Sequence, residues 1–256
     1  MNDNSNIAAA QTSALELDAV SKSFGDHSVL DRLTLRIATG QLVCIYGPNA
    51  AGKTTLLRVA AGLLQASEGR IRVCGYDLAD QPEQARARLG LIAHKPMVYP
   101  QLTVLENLRF AADLYGLANS KAHHKNGGQA HIERLLDQTG LASYRHDPAG
   151  ILSRGITQRL AIAKALVHQP TLLLADEPFT GLDADAANRF TTIIQDLRTR
   201  GCTVVLTTHA THLPLQLCDR VVVIEQGSIV LDAPAGDIDP AQFSANYLTY
   251  ARQYAR

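Results

Sequence analysis

At 256 residues, 46% of them hydrophobic, the chain is long enough for one large α/β domain or two small ones with a filled core. Twenty-four basic and twenty-four acidic side chains cancel, so no global field draws it to nucleic acid or to an anionic membrane surface. No run reaches the roughly 18 to 20 apolar residues that a spanning helix needs, and the polar start lacks a signal peptide's basic-then-apolar order, which predicts a chain that stays in the cytoplasm.

Residues 1–13 are small and polar, an expected disordered leader, and folding is predicted to begin near Leu15. Leu15-Glu-Leu-Asp-Ala-Val20 and Leu33-Thr-Leu-Arg-Ile37 alternate apolar with polar residues, the period of half-exposed antiparallel strands. Leu42-Val-Cys-Ile-Tyr46 is apolar throughout, like a buried central strand; a glycine-rich turn follows, and Leu56, Leu57, Val59, Ala60 and Leu63 recur at helical spacing. From about residue 84 to 150 the pattern turns helical, clearest over Val104–Tyr115 and His131–Gly140, and the polar segment 119–129 reads as a mobile loop. Beyond it, Leu172–Leu174, Val204–Thr207 and Val221–Ile224 are apolar runs separated by helix-length stretches, which argues for a mostly parallel, helix-covered sheet. The tail 231–256 reads as a short appendix. Cys44, Cys74, Cys202 and Cys218 stand far apart, as free buried thiols do, which disfavours a zinc site.

Gly47-Pro48-Asn49-Ala50-Ala51-Gly52-Lys53-Thr54 satisfies G-x-x-x-x-G-K-[ST] between a buried strand and a helix, and with Thr55 forms the candidate nucleotide cradle. The glycines let backbone N–H groups face phosphate oxygens, the helix adds its positive end, Lys53 reaches the β and γ phosphates, and the Thr54 hydroxyl can ligate Mg²⁺. The fold this predicts is α/β: a P-loop NTPase core with a mostly parallel sheet, an antiparallel β subdomain and a helical insertion.

Thr171-Leu-Leu-Leu-Ala-Asp176-Glu177 supplies a buried strand ending in two carboxylates. Asp176 would hold Mg²⁺, directly or through water, and Glu177 would polarise the attacking water. Successive strand side chains point oppositely, so adjacent acids take different jobs unless the strand has already ended. His209, after the strand Val204–Thr207, stands where a neutral imidazole could bond the γ-phosphate.

These elements, with Leu152-Ser153-Arg154-Gly155-Ile156-Thr157-Gln158-Arg159 just upstream of the acidic strand and Phe179-Thr-Gly-Leu-Asp183 just after it, resemble an ABC transporter nucleotide-binding subunit over about residues 15–230. The resemblance implies one ATPase domain over 14–230, with its helical subdomain at about 84–165, that hydrolyses ATP with Mg²⁺ as a head-to-tail dimer beneath integral-membrane subunits, at the cytoplasmic face of the cell membrane. Ser153 and Gly155 would contact the γ-phosphate held by the opposite subunit, Asp183 matches the aspartate of the dimer-crossing segment, and Phe24 matches the aromatic that stacks on adenine. Soluble ABC ATPases of DNA repair or translation carry a long coiled coil or a second cassette, and neither feature is present.

Three departures from the general pattern stand out. His94, in Leu91-Ile-Ala-His94-Lys-Pro96, occupies the place of a glutamine; it can bond a Mg²⁺-bound water or ligate the metal, and histidine adds pH sensitivity near neutrality. Arg154 and Ile156 replace the usual glycine and glutamine of the octet. Ala50 stands where a glycine is frequent, which holds the backbone to conformations a Cβ tolerates. With Tyr99-Pro-Gln-Leu-Thr103-Val-Leu-Glu106-Asn107-Leu-Arg-Phe110, these variants are similar to the heme-exporter ATPase of cytochrome c maturation; export of lipid, drug or polysaccharide stays open. His123, His124 and His131 are read as solvated and not as heme ligands, since the resemblance places heme chemistry in the membrane partners. Arg109 and Arg134 are read as solvent-facing.

Overall fold

The structure, a computed structural model, describes residues 13–117, 127–209 and 212–254. In chain order, β1 (Ser13–Phe24) and β2 (His27–Ala38) form a hairpin, β3 (Leu42–Tyr46) runs into α1 (Lys53–Ala60), and β4 (Glu68–Val73) and β5 (Tyr76–Asp77) precede α2 (Pro82–Ala87) and β6 (Leu89–Ile92). Helices α3 (Val104–Leu114), α4 (Gly127–Gln138) and α5 (Arg154–Leu166) follow. The remainder alternates: β7 (Leu172–Asp176), α6 (Ala184–Thr199), β8 (Thr203–Thr208), α7 (His212–Leu217), β9 (Arg220–Glu225), β10 (Ser228–Pro234) and α8 (Pro240–Tyr254).

Two sheets result. The period-2 strands make an antiparallel sheet in the order β2-β1-β4-β5, and the apolar runs make a second sheet in the order β10-β9-β3-β8-β7-β6, parallel from β6 to β9. The central strand β3 divides the interior because its side chains alternate between faces. Val43 and Ile45 join α1 and the antiparallel sheet in one core, while Leu42, Cys44 and Tyr46 join α3, α5, α6 and α8 in the other. Both faces of this sheet are covered, which is why β3, β7 and β8 are buried along their whole length and read as unbroken apolar runs.

The stretch predicted to turn helical from residue 84 contains a core strand. Leu89-Gly-Leu-Ile92 pairs parallel with β7, so the helical part begins only after it. Gly90 is required there: a Cβ would stand 2.5 Å from the Ala165 carbonyl oxygen of α5. The expected leader lies outside the described residues except for Ser13, which pairs with Ala38. Most of the predicted loop 119–129 lies outside them too, with His123 and His124, but Gly127, Gly128 and Gln129 open α4 instead of continuing a loop. His131 on that helix is half-buried beside Leu135 and Cys202, not solvated. Three cysteines are free and buried as expected, and Cys74 is half-buried.

The tail departs from an appendix. β10 extends the core sheet across the expected boundary at 231, and Leu231, Ala233, Ile238 and Phe243 are all buried in the larger core. Among the described residues no helix is long and apolar enough to cross a membrane.

The segment Tyr99–Phe110, prominent in the sequence, has a structural task. Thr103 caps α3 through a capping box with Glu106, two orphan backbone N–H groups being satisfied at once. Those bonds hold the Glu106 carboxyl below the usual carboxylate range. Asn107, fully buried, accepts from the Tyr99 backbone N–H and donates to the carbonyls of Tyr99, Leu102 and Thr103.

Candidate functional site

The phosphate loop joins β3 to α1 in the predicted context. Its two outer glycines are dictated by space: a Cβ at Gly47 would lie 2.4 Å from the Ile224 carbonyl oxygen, and one at Gly52 would lie 2.8 Å from that of Val29. Gly52 also takes φ 102, and Ala50 takes φ 64, in the left-handed region that costs a Cβ-bearing residue about 1–2 kcal/mol. The alanine does not therefore avoid the glycine-like conformation; it adopts it at a cost. Lys53, nearly buried, donates to the carbonyls of Gly47 (2.7 Å) and Pro48 (3.0 Å), curling the loop around its own ammonium group. Burial lowers its pKa, and the charges of Glu177 and Asp176 oppose that shift.

The acidic pair separates at the strand end. Asp176 is the last residue of β7, buried, and accepts a 2.7 Å hydrogen bond from the Thr207 hydroxyl on the neighbouring β8. Glu177 turns out of the strand with φ 49, and its N–H donates to the Thr207 carbonyl (3.2 Å) and to the Thr207 hydroxyl oxygen (3.1 Å). A non-glycine residue in this region is strained, and here two hydrogen bonds with one threonine hold it. Thr207, read from the sequence only as part of a strand, bonds the carboxylate of Asp176 and the backbone of Glu177.

Glu177 is the hub of the exposed side. His209 Nδ1 lies 3.0 Å from one of its oxygens and His94 Nδ1 3.9 Å from the other, and the Thr180 hydroxyl donates to it at 3.4 Å. Glu177, His94 and His209 line one cleft of about 780 Å³ together with residues 48–55. Three further residues line it that the sequence did not assign: His27, Val29 and Tyr247. The first two come from the β1–β2 hairpin and the third from the tail, so only the tertiary structure brings them there.

Other expected site residues lie elsewhere. Phe24 sits at the hairpin end, half-exposed, with the Lys22 ammonium 4.9 Å over its ring, and its cross-strand partner His27 reaches the cleft in its place. Ser153 is the exposed N-cap of α5 and accepts from the Ile156 N–H. Gly155 packs against residue 181, a Cβ there coming 3.1 Å from the Gly181 carbonyl oxygen. Asp183 caps α6, accepting from the Ala186 N–H at 2.8 Å, and pairs with Arg159 of α5 at 2.9 Å; the cap holds its carboxyl below the usual range. Ser153 and Gly155 on α5 are thus tied to the segment ending in Asp183 through Gly181 and Arg159, and none of the three is among the residues lining the cleft. Arg109 and Arg134 are exposed as expected.

The donor set fits the chemistry of a magnesium nucleotide. Among the described residues no group of three or more His, Cys, Asp or Glu side chains could hold a metal, but Mg²⁺ needs only one or two protein oxygens together with phosphates, and Thr54 and Asp176 offer a hydroxyl and a carboxylate. The cradle for the phosphates is the pair of space-restricted glycines at a helix N-terminus.

Comparison with known proteins agrees with this geometry. The family model for ABC transporters matches residues 30–180. The chain is 38% identical over 199 residues to the ABC transporter ATP-binding protein NatA of Bacillus subtilis, covering 77% of this chain and 78% of that protein. It is 37% identical to the Nod factor export ATP-binding protein I of Paraburkholderia xenovorans, over 84% of this chain and 68% of that protein. Among solved structures, an ATP-binding subunit of an ABC transporter superposes with a TM-score of 0.83 at 30% identity, over 94% of this chain and 99% of that one. A dimeric cassette, MJ0796 with ADP and Pi bound, superposes with a TM-score of 0.77 at 25% identity, over 86% of this chain and 98% of that one. With matching motifs, matching fold and relatives along most of its length, the chain belongs to the ABC transporter family as an ATP-binding, ATP-hydrolysing subunit.

Proposed function

We propose that this protein powers an exporter: two copies hold two ATP molecules between them, head to tail, and hydrolysis at their interface drives integral-membrane subunits from the cytoplasmic face. The observation that carries the reading is the convergence of Lys53, Glu177 and His209 on one cleft, with Asp176 buried at the strand end next to Glu177, while Ser153, Gly155 and Asp183 lie outside its lining on a second edge. Lys53 would exchange its carbonyl partners for phosphate oxygens. Glu177, positioned by Thr207 and in contact with His209, would take the proton of the attacking water, and His209 would donate a hydrogen bond to the γ-phosphate. Thr54 and Asp176 would hold Mg²⁺, which neutralises charge on the phosphates, and His94 would bond a water of that ion, because magnesium prefers oxygen to ring nitrogen as a direct ligand. Phe24 would stack on adenine beside His27.

The loop carrying His94 gives a route from nucleotide to membrane. Ala93 and Met97, on either side of it, line an apolar groove of about 240 Å³ together with Leu63, Leu114 and Tyr115. Leu63, Met97 and Leu114 are each more than half exposed, an unusual patch of large apolar side chains in contact with the same loop that reaches Glu177. A cytoplasmic segment of the membrane subunit seated there would feel each movement of His94. Residues 14–230 form the ATPase domain on this reading, with the helical subdomain following β6 and the tail closing over the core.

The cargo assignment that the residues favour is heme, in export or in release of a heme-loaded chaperone during cytochrome c maturation; it rests on His94, Arg154, Ile156 and the Tyr99–Phe110 segment. Relatives whose names state a cargo carry others, Nod factor export and probable multidrug transport, so lipid, drug or polysaccharide export is the second reading. The test is purification from membranes with partners attached. Membrane partners with bound heme support the first reading; partners of another class replace it and leave the exporter. Failure of the purified chain to hydrolyse ATP with Mg²⁺, or equal hydrolysis by Lys53→Ala, would remove the assigned site.

A further inference from the structure

The tail contributes a residue to the cleft that neither the sequence motifs nor the family comparison assigns. Helix α8 is broken at Asn246, whose backbone is extended (φ −163, ψ 87), and the Asn246 side chain caps the second segment by accepting from the Thr249 N–H at 3.1 Å. Tyr247 opens that second segment. Its ring lies 6.1 Å from that of Tyr46 and 5.9 Å from that of Phe243, and Phe243, fully buried, meets Tyr46 edge-on at 5.0 Å. Tyr46 is the last residue of β3, immediately before Gly47. Three aromatic rings therefore clamp the tail to the strand that presents the phosphate loop, and the outermost of them lines the same cleft as the loop, Glu177 and His209.

We propose that Tyr247 is a nucleotide-contact residue, its hydroxyl donating to the terminal phosphate of a nucleotide bound in the cleft. The ring packs at tilted angles against Tyr46 and Phe243, whereas the hydroxyl has no hydrogen-bond partner among the described residues. Burial and the nearby Glu225 raise the Tyr247 pKa, so the phenol stays protonated and serves as a donor. A donor in a cleft built for anions gains most from a phosphate oxygen, since charge-assisted hydrogen bonds are about twice as strong as neutral ones. Through the aromatic clamp the same contact would couple occupancy of the cleft to the position of the tail. This rests on the reading of the cleft as the ATP site.

The test compares full-length wild type with Tyr247→Phe, which keeps the ring clamp and removes only the hydroxyl, by calorimetric titration with Mg-ATP and with Mg-ADP. We expect Tyr247→Phe to weaken ATP binding about tenfold, the size of one hydrogen bond to a charged group, with ADP binding unchanged and the melting temperature of the protein alone unchanged. Equal ATP affinity in the two proteins would overturn the proposal and leave the ATP site intact. Equal weakening for ATP and ADP together with a lowered melting temperature would overturn it too, showing a packing role. A wild type that binds neither nucleotide would instead overturn the reading of the cleft itself. In Tyr247→Ala the clamp is lost as well, so we expect its melting temperature to fall below that of Tyr247→Phe.

Discussion

The phosphate-loop cleft and the edge formed by Ser153, Gly155 and Asp183 differ in completeness. The cleft gathers elements from one end of the chain to the other, from His27 to Tyr247, into a set with a cation and a carboxylate hub that two imidazoles approach. The edge is a helix start with an exposed serine, a glycine with no spare space and an aspartate already engaged as a cap and ion pair. One region is organised inward around a ligand volume. The other is organised only with respect to itself, and on the proposed reading the ligand it meets is held by a second copy. The comparison teaches that a complete inventory of site residues within one chain need not be a complete site.

The largest effect is expected inside the cleft. Glu177→Gln should lose roughly 10²–10⁴-fold in turnover, about 3 to 5 kcal/mol of barrier, while still binding ATP. Near-normal turnover in a steady-state phosphate-release assay would strip Glu177 of its role. Ser153→Arg should abolish ATP-induced dimerisation in size-exclusion chromatography yet leave the monomer's ATP affinity unaltered, because the residue is not in its own chain's cleft. The two variants also test each other. Mixing inactive Glu177→Gln with inactive Ser153→Arg should restore activity, since one site of the mixed dimer then combines an intact cleft with an intact edge; no recovery would make the two regions parts of one site within a single chain.

A pH titration addresses how the edge is anchored. His168, two residues beyond α5, stacks on Tyr115 at 3.7 Å and bonds the Leu89 carbonyl at 3.0 Å, and its burial lowers its pKa to about 4. The unfolded chain therefore takes up the proton first as pH falls. Stability is complete above the ordinary histidine pKa near 6.5 and declines as pH drops towards 4, by about 3 kcal/mol, and His168→Phe should flatten that decline in urea unfolding. An unchanged pH dependence in the variant would assign the acid sensitivity elsewhere. The smallest effect is at Asp183: replacement by alanine removes a helix cap at a cost of about 1 kcal/mol, while asparagine, itself a good cap, should retain most of the stability. If asparagine is as destabilising as alanine, the Arg159 ion pair and not the cap is the stabilising contact.

Much of the cleft was legible because its chemistry is local: strand, glycines, Lys53 and Thr54 are contiguous, and the two acids close a continuous apolar run. Their divergence was not, since alternation parts adjacent acids only while the strand continues, and the strand ends at Asp176 with Glu177 turned out of it in the left-handed region. Strand β6 was not legible. Four residues with a glycine among them carry too little periodicity to be told from a helix boundary, and the reason for Gly90 is a carbonyl on α5, far away in sequence. Tyr247 and Thr207 escaped for a related reason: each acts through partners that only the folded sheet supplies. The Thr103–Asn107 segment shows the opposite error of emphasis. Its residues carry the family resemblance most visibly, and within this chain their task is to cap a helix and satisfy a loop's backbone.

The contact between Gly155 and Gly181 has a consequence for which substitutions the octet tolerates. The two residues are restricted differently: a methyl on Gly155 would meet the Gly181 carbonyl oxygen at 3.1 Å, whereas Gly181 is restricted by its φ of 82, with the Arg154 side chain in ordinary contact distance of where its own Cβ would be. Arg154, by contrast, is exposed and lies alongside Gly181 without needing a partner of fixed size. Mutational freedom in the octet thus follows the free volume around each position, so that an arginine is accommodated at residue 154 where even an alanine at 155 would require a matching shift of the backbone twenty-six residues away.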